Sequence, residues 1–268
     1  MGRLAVIGDI GGHLTQLSEA LLVLGVDLDA ATLPADLVVI QVGDLVHRGP
    51  DSAGVVALVD TLLTNNPQQW VQLLGNHEAC HLAAPLFPHD SLDDATVETL
   101  RRWHRDGTLR LGVALETELG PMLVTHAGLT HELWVELERP VDPRTAVLRL
   151  AERPKRAWRP GRMLADSSGT GGVLWAEAGH ELYASWLRAE HHTVAAPFGQ
   201  IHGHSSAYRW ATGRSTAPPE VTERLRTDEA RRHVHLTLAG NPMIGLDPGF
   251  GTYADGRWAP LVLEGHLD

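Results

Sequence analysis

The sequence predicts an α/β domain built around a parallel sheet. Three short apolar runs carry that expectation: "LAVIGD", "DLVVIQVGD" and "WVQLLGNHE". Each is rich in Val, Leu and Ile and bounded by Gly, as buried strands are. Between them, residues 14–24 and 52–63 place apolar residues at helical spacing. A β-α-β-α-β order favours parallel strands joined by right-handed crossovers. In such a sheet, polar residues just beyond the strand C-termini converge on one edge, where ligands sit.

The later segments extend this frame. Residues 90–107, with "DDATVETLRRWHRDG", read as an exposed helical insertion. "LGVALETELGPMLVTHAGL" reads as a hairpin turning at Gly120-Pro121, with His126 ending its second strand. Residues 139–172 are rich in Arg, Pro and Gly and read as a long surface loop around a short helix. "GQIHGHSSAYRW" is a strand that stops in a polar cluster, and residues 218–232 read as a solvated helix or flexible loop. "HVHLTLAG", "MIGLDPGFG" and "RWAPLVLEG" supply further strands. With no repeat and no shift of composition, one domain over residues 1–268 is expected, with surface insertions near 90–107 and 139–172.

Composition narrows the function classes. A hydrophobic fraction of 43% with 21% charged residues is that of a soluble globular protein. The net charge of -11 argues against wrapping nucleic acid through its backbone charge, but leaves nucleotides and phosphoproteins open. The lone Cys80 excludes an internal disulfide and suits a reducing compartment. No apolar run reaches membrane-span length and the opening residues show no signal-peptide pattern, so a cytoplasmic protein with no membrane partner is expected.

The chemistry lies in what the strand ends carry. Asp9, Asp44, the pair Asn76-His77, His126 and His204 each follow an apolar run and sit beside a small residue. A purely structural protein has no reason to load one sheet edge with carboxylate and imidazole. Carboxylate oxygens mixed with imidazole and an amide suit Mn²⁺, Fe or Zn²⁺ rather than Ca²⁺. A carboxylate such as Asp44 can bridge two ions about 3.5–4 Å apart, the geometry of two-metal phosphoester hydrolysis. The alternative of a phosphate-cradling loop is weaker, because "GDIGGH" fits neither G-x-G-x-x-G nor G-x-x-x-x-G-K-[ST] and has no lysine nearby.

The remaining singled-out residues get plainer readings. His13 divides between an exposed helix start, a substrate contact and a displaced ligand, with the exposed position favoured. His81 reads as a surface or packing residue, and His202 as a neighbour of His204 on the same strand face or a hydrogen-bonded core group. His191, His192, His233 and His235 read as structural or solvated, and Cys80 as a small buried apolar residue. Trp175 reads as packing near the site, and Arg159 and Arg162 as solvated loop residues in preference to substrate contacts.

Five motifs in order, "GDIGG", "GDLVHRGPDS", "GNHEACHLA", "VTHAGL" and "IHGHSS", together resemble the calcineurin-like metallophosphoesterase superfamily. The resemblance is closest to its phosphoprotein-phosphatase branch, which includes bacterial diadenosine tetraphosphate hydrolases. "VLWAE" and "GLDPGFGTYADGRWAPLVL" look like weaker landmarks of that branch. The resemblance implies a four-layer αββα sandwich, with two mixed sheets and helices on both outer faces. It implies hydrolysis of a phosphate ester or anhydride by metal-activated hydroxide, without a covalent intermediate. Asp9 would then bind a first metal, Asp44 would bridge both, and Asn76, His126 and His204 would bind the second. Two divalent ions are implied, Mn²⁺ foremost, with Fe or Zn²⁺ as alternatives. Arg48 would clamp phosphate oxygens through its planar donors. His77 would be the general acid for the leaving group.

Two positions depart from the family pattern. Gly11 stands where the family usually has a His ligand of the first metal, so that ion is expected to bind more weakly. His47 replaces the Asp that protein Ser/Thr phosphatases use to orient their acid. His13 and His47 are therefore carried as candidate metal or substrate contacts. The implied substrate is a small phosphorylated molecule, a nucleotide or a phosphoprotein. Loops at such a rim carry selectivity, which points to residues 139–172. The alternative is a catalytically weakened phosphate-binding or regulatory protein on the same fold, which the Gly11 gap favours and the retained acid and clamp oppose.

Overall fold

The protein is described from a computed structural model over residues 2–164, 169–249 and 258–268. The first half follows the expected alternation: β1 (Gly2–Ile7), α1 (Leu14–Leu24), β2 (Leu37–Gln41), α2 (Ser52–Asn65) and β3 (Trp70–Leu73). These strands are parallel, with Ala5 paired to Val39 and Val39 to Trp70. Local chemistry ends the helices where they end. Asp51 caps α2 by accepting from the Gly54 N–H at 2.7 Å, and Gly25 closes α1 at a left-handed φ of 87°.

After β3 come α3 (Asn76–Ala79), α4 (Asp94–Arg105), β4 (Leu109–Arg110), β5 (Gly112–Thr117) and β6 (Gly120–Thr125). Helices α5 (His131–Glu136), α6 (Pro143–Glu152) and α7 (Pro154–Ala157) follow, then a π-helical turn Ala178–Tyr183 that runs into α8 (Ala184–His191). The chain continues through β7 (Gly199–His202), a ribbon of β8 (Tyr208–Arg209) and β9 (Arg214–Ser215), and α9 (Pro219–Thr222). It finishes with β10 (Arg226–Asp228), β11 (His233–Leu238), β12 (Asn241–Gly245) and β13 (Leu261–Leu267).

The described strands other than the ribbon form one mixed sheet, in the order β10-β11-β12-β7-β6-β5-β13-β1-β2-β3-β4. The expected division into two sheets is thus absent from the hydrogen bonding among described residues. The reason is β13, which pairs antiparallel with β1 on one side and β5 on the other and so joins the halves.

Alternating side chains give the sheet two apolar faces. On one face, Ala5, Ile7 and Val39 pack with α1 and α2, whereas Leu123 packs with α5, α6 and α8 at the other end. On the opposite face, Leu4, Val6, Ile40, Leu73, Val124 and Ile201 belong to a third buried cluster. Its buried members all come from strands or the residue just past one.

Three sequence expectations are corrected. The helix in 90–107 is amphipathic rather than exposed: Leu100 and Trp103 are fully buried, and the Trp103 indole donates to Asp60 on α2 at 2.9 Å. The β5–β6 turn falls at Glu118-Leu119, because Thr117 pairs with Gly120, whose φ is 95°. Segment 139–172 is mostly helical over its first part, with Ala146 and Leu150 of α6 buried, and its residues 165–168 lie outside the described residues. Segment 218–232 holds a short helix, α9, as one of its two readings has it, and adds the edge strand β10. Within "GLDPGFGTYADGRWAPLVL", residues 250–257 lie outside the described residues.

Glycines set how closely the strand ends approach. A Cβ on Gly8, just past β1, would lie 2.0 Å from the Leu246 carbonyl oxygen, just past β12. A Cβ on Gly203 would lie 2.0 Å from Asp9 Oδ1. Backbone bonds complete the junction, with Leu246 N–H donating to His202 at 2.8 Å and Gly203 N–H to His126 at 2.7 Å. Gly8→Ala is therefore expected to cost about 1–3 kcal/mol, because backbone must move. A urea midpoint unchanged from the natural protein would show that this approach is not tight.

Candidate metal centre

The site begins as a set of stitched loops. The N–H groups of Ile10 and Gly11 both donate to the Asp44 carbonyl, at 2.9 and 2.8 Å, and Gly12 donates to Leu45 at 2.7 Å. Glu78, fully buried, accepts from Asp44 N–H at 2.9 Å, Gly75 N–H at 3.0 Å and Leu45 N–H at 2.8 Å. Burial, with Asp44 adding to it, pushes the Glu78 carboxyl up to about 7. These bonds hold Asp44, His47 and Arg48 at left-handed φ values of 56°, 72° and 65°, and His204 sits at 64°. A left-handed non-glycine residue costs roughly 1–2 kcal/mol, and such strain persists only where its surroundings over-determine it.

On this frame, four strand ends deliver acceptor atoms to one point. The Val42 carbonyl lies 3.0 Å from His126 Nδ1, which must donate to it, so Nε2 carries a lone pair. That lone pair faces Asn76 Oδ1 at 3.0 Å, His204 Nδ1 at 3.2 Å and Asp44 Oδ1 at 3.4 Å. His204 Nδ1 is itself 2.8 Å from Asn76 Oδ1. There are more lone pairs here than protons to place between them. His204 Nε2 and His77 Nε2 are buried without a hydrogen-bond partner. Ligand atoms of Asp44, His126 and His204 lie within 4.8 Å of one another. A divalent cation would relieve this mutual repulsion, and carboxylate, amide and imidazole are donors that such a cation could accept.

The electrostatics follow from burial. Asp9, whose carboxylate accepts His204 N–H at 3.0 Å, is pushed well up by burial and then by Asp247 and Asp44. Burial also pushes Asp44 up, but His77, His126, His204 and Arg48 outweigh it and hold its carboxyl below the usual range. Burial pushes the imidazoles of His77, His126 and His204 down, which favours the neutral form that His126 and His204 need as ligands. Arg48 is exposed at the rim, and its charge acts on Asp9, Asp44 and Asp247.

The structure thus brings Asp9, Asp44, Asn76, His77, His126 and His204 together, with Arg48 at the mouth. His13 is buried rather than exposed: it directly precedes α1, and its Nδ1 meets the Ile10 carbonyl at 3.0 Å. Gly11 takes a φ of 53°, which a His could adopt only with strain. His47 turns away from Asp44, His126 and His204 and meets His77, Nδ1 to Nδ1, at 2.8 Å. His202 is a core group bonded to the Tyr183 hydroxyl at 2.7 Å, not a companion of His204, because the chain turns left-handed at 204. Arg159 is occupied by Glu136 and the Thr170 carbonyl, and Trp175 packs edge-on against His204.

Three participants escaped the sequence reading. Asp247 is buried beside Asp9, and its signal was the "GLDPG" ending of β12. Glu78 was visible in "GNHE", but nothing local shows that it holds the neighbouring turn. His89 had no signal at all, since only folding brings its loop to His47.

Buried carboxylates and imidazoles thus meet at one edge of a mixed α/β sheet. The family model for calcineurin-like phosphoesterase matches residues 2–223, and the chain belongs to that family. No curated protein matches the sequence. Among solved structures, the cold-active protein-tyrosine phosphatase of a psychrophilic Shewanella is 16% identical, with TM-score 0.58 over all of this chain and 78% of that one. A further structure of a cold-active protein tyrosine phosphatase is 17% identical, with TM-score 0.56 over 100% and 76%. A putative diadenosine tetraphosphatase is 21% identical, with TM-score 0.45 over 99% and 93%. The first two likenesses establish the shared fold.

The buried imidazoles dictate acid lability. Burial holds His202 down at about 4, against about 6.5 when unfolded. Its contribution is full above about pH 6.5 and is lost as pH falls towards 4, by about 3 kcal/mol. Urea unfolding at stepped pH should therefore show falling stability across that window, with a shallower slope in His202→Gln. Equal slopes in the two proteins would contradict this role for His202.

Proposed function

We propose that the chain is a metal-dependent phosphoesterase that hydrolyses a phosphate ester or anhydride. The observation that carries it is the buried convergence of Asp44, Asn76, His126 and His204 around lone pairs lacking protons, beneath an exposed Arg48. Asp44, Asn76, His126 and His204 would hold one divalent ion. Asp9 and Asp44 would hold another, with Asp247 offering the ligand that Gly11 does not; Asp247 follows Leu246, which abuts Gly8. Bound there, divalent ions supply Lewis-acid charge for the phosphoryl oxygens and activate water at neutral pH. Mn²⁺ is the ion of choice for this oxygen-and-imidazole set.

The chain's own groups do the rest. Arg48 binds phosphate oxygens through its planar donors, oriented by a turn whose backbone N–H is held by Asp90 at 2.9 Å. His77 holds its Nε2 at the site, 3.8 Å from Asp44 Oδ2, while His47 fixes its other nitrogen. The Asp44 carboxylate opposes the burial of His77 and favours its charged form, from which Nε2 passes a proton to the departing oxygen. A cavity of about 210 Å³ opens beside Asn76, walled by Ala79, Cys80, Leu86, Trp158 and Trp175. Its flat apolar walls suit a substrate with an aromatic group, either a nucleobase or an aryl ester.

The same reading makes the fold four-layered. A sheet face buried entirely by strand residues, with helices on the other face, is explained if the long sheet folds over so its halves face each other.

Chelation should abolish phosphatase activity, and Mn²⁺ should restore it. His77→Ala should keep its metal and slow turnover by roughly 10²–10⁴-fold on alkyl phosphates, and less on p-nitrophenyl phosphate. Undiminished alkyl-phosphate turnover in His77→Ala would remove it as the acid. Asp247→Asn should bind fewer Mn²⁺ ions per chain by elemental analysis; an unchanged count excludes it as a ligand. Trp158→Ala should raise KM for aryl and nucleotide substrates with little change for small alkyl phosphates. A uniform effect across all three substrate classes would rule the cavity out.

A further inference from the structure

We propose that His47, His81 and His89 form a separate three-imidazole site for a divalent cation of the zinc type, distinct from the centre at Asp44. The three side chains come from different segments: the turn after β2, the turn after α3, and the non-helical stretch before α4. One ring nitrogen from each lies within 4.8 Å of the others. The ring centroids stand 5.0 Å apart for His47–His81, 4.9 Å for His47–His89 and 4.8 Å for His81–His89. Three imidazole nitrogens about 2.0–2.1 Å from one Zn²⁺ would lie roughly 3.4 Å apart. The site therefore closes when the nitrogens draw together by about an ångström and His89, now stacked on His47 at 13°, turns its ring plane towards the ion.

Outer contacts favour the required tautomer in two of the three rings. His89 Nδ1 lies 2.9 Å from the Asp90 carbonyl and must donate to it, leaving a lone pair on Nε2. His47 Nδ1 lies 2.8 Å from His77 Nδ1 and can donate there while His77 is neutral, leaving its Nε2 for the ion. A ligating His characteristically gives its second N–H to such a partner. His47 Nε2 now meets His81 Nε2 at 2.9 Å, an imidazole pair sharing one proton. A cation displaces that proton to the outer nitrogens with no net release. Burial, and then the neighbouring imidazoles, hold His47 at about 3 and His81 at about 4, so both are neutral at physiological pH.

The site is open on one side. His47 is buried with its backbone held left-handed, whereas His81 and His89 are half-exposed. Three protein ligands leave a fourth position for water or an exchangeable group. Three neutral nitrogens and no thiolate favour Zn²⁺, Cu²⁺ or Ni²⁺ over Mn²⁺ or Mg²⁺. The ion would tie the loop that bears His89 to the turn that bears Arg48, joined already where Asp90 accepts the Arg48 N–H.

The test compares the natural chain with His81→Gln/His89→Gln, whose changed residues are both half-exposed. Zn²⁺ bound per chain is counted by calorimetric titration and elemental analysis, and Co²⁺ is used as a visible-absorption probe. The double variant should bind one fewer Zn²⁺ and lose one tetrahedral Co²⁺ signal, with its Mn²⁺ content unchanged. In Asp44→Asn, the ion that depends on His81 and His89 should persist. Equal Zn²⁺ counts in the natural and double-variant chains would overturn the proposal. So would loss of this ion in Asp44→Asn, which would place it at the other centre. The two metal readings can thus fail independently.

Discussion

The sheet edge depends on burying groups that repel each other. Asp9, Asp44 and Asp247 are each under 10% exposed, and three imidazoles face the same space. Burial drives the carboxyls of Asp9 and Asp247 up, whereas at Asp44 burial is outweighed by His77, His126, His204 and Arg48, which hold its carboxyl down. A protein can hold such a set only if the backbone enforces it and a cation relieves it. The lone pairs of His126 and Asn76, pointed at one another, express the same tension at the scale of single atoms.

What enforces the set is mostly absence of side chain. Gly8 and Gly203 let chain segments approach to distances no Cβ permits, and Gly43 and Gly75 do the same between the second and third loops. Glu78 then fastens those loops with three charge-assisted bonds, and the fastening holds Asp44, His47 and Arg48 left-handed. Strain, burial and close approach are therefore one arrangement. The apolar helices behind β1, β2 and β3 supply the rigidity against which it is held.

Much of this was legible in the sequence. The alternation of β1, α1, β2, α2 and β3 follows from apolar runs and helical spacing, and the polar strand ends mark the edge where ligands gather. The strand-end residues Asp9, Asp44, Asn76, His126 and His204 could be picked out because each breaks an apolar pattern. Other features were illegible for physical reasons. His13 was expected on the surface because its burial depends on Gly49 packing against it, a long-range contact. The amphipathic character of α4 was masked by its many charges. That β13 would fuse the sheet could not be read from "PLVLEG", since pairing partners are not a local property. The meeting of His47, His81 and His89 depends in the same way on tertiary placement.

The most direct measurement is anomalous diffraction at the manganese edge from crystals grown with Mn²⁺. The account predicts a peak about 2.2 Å from Asp44 Oδ1, Asn76 Oδ1, His126 Nε2 and His204 Nδ1, with those side chains close to their present positions. A map with no peak there at saturating Mn²⁺, and the same side chains undisturbed, would contradict it.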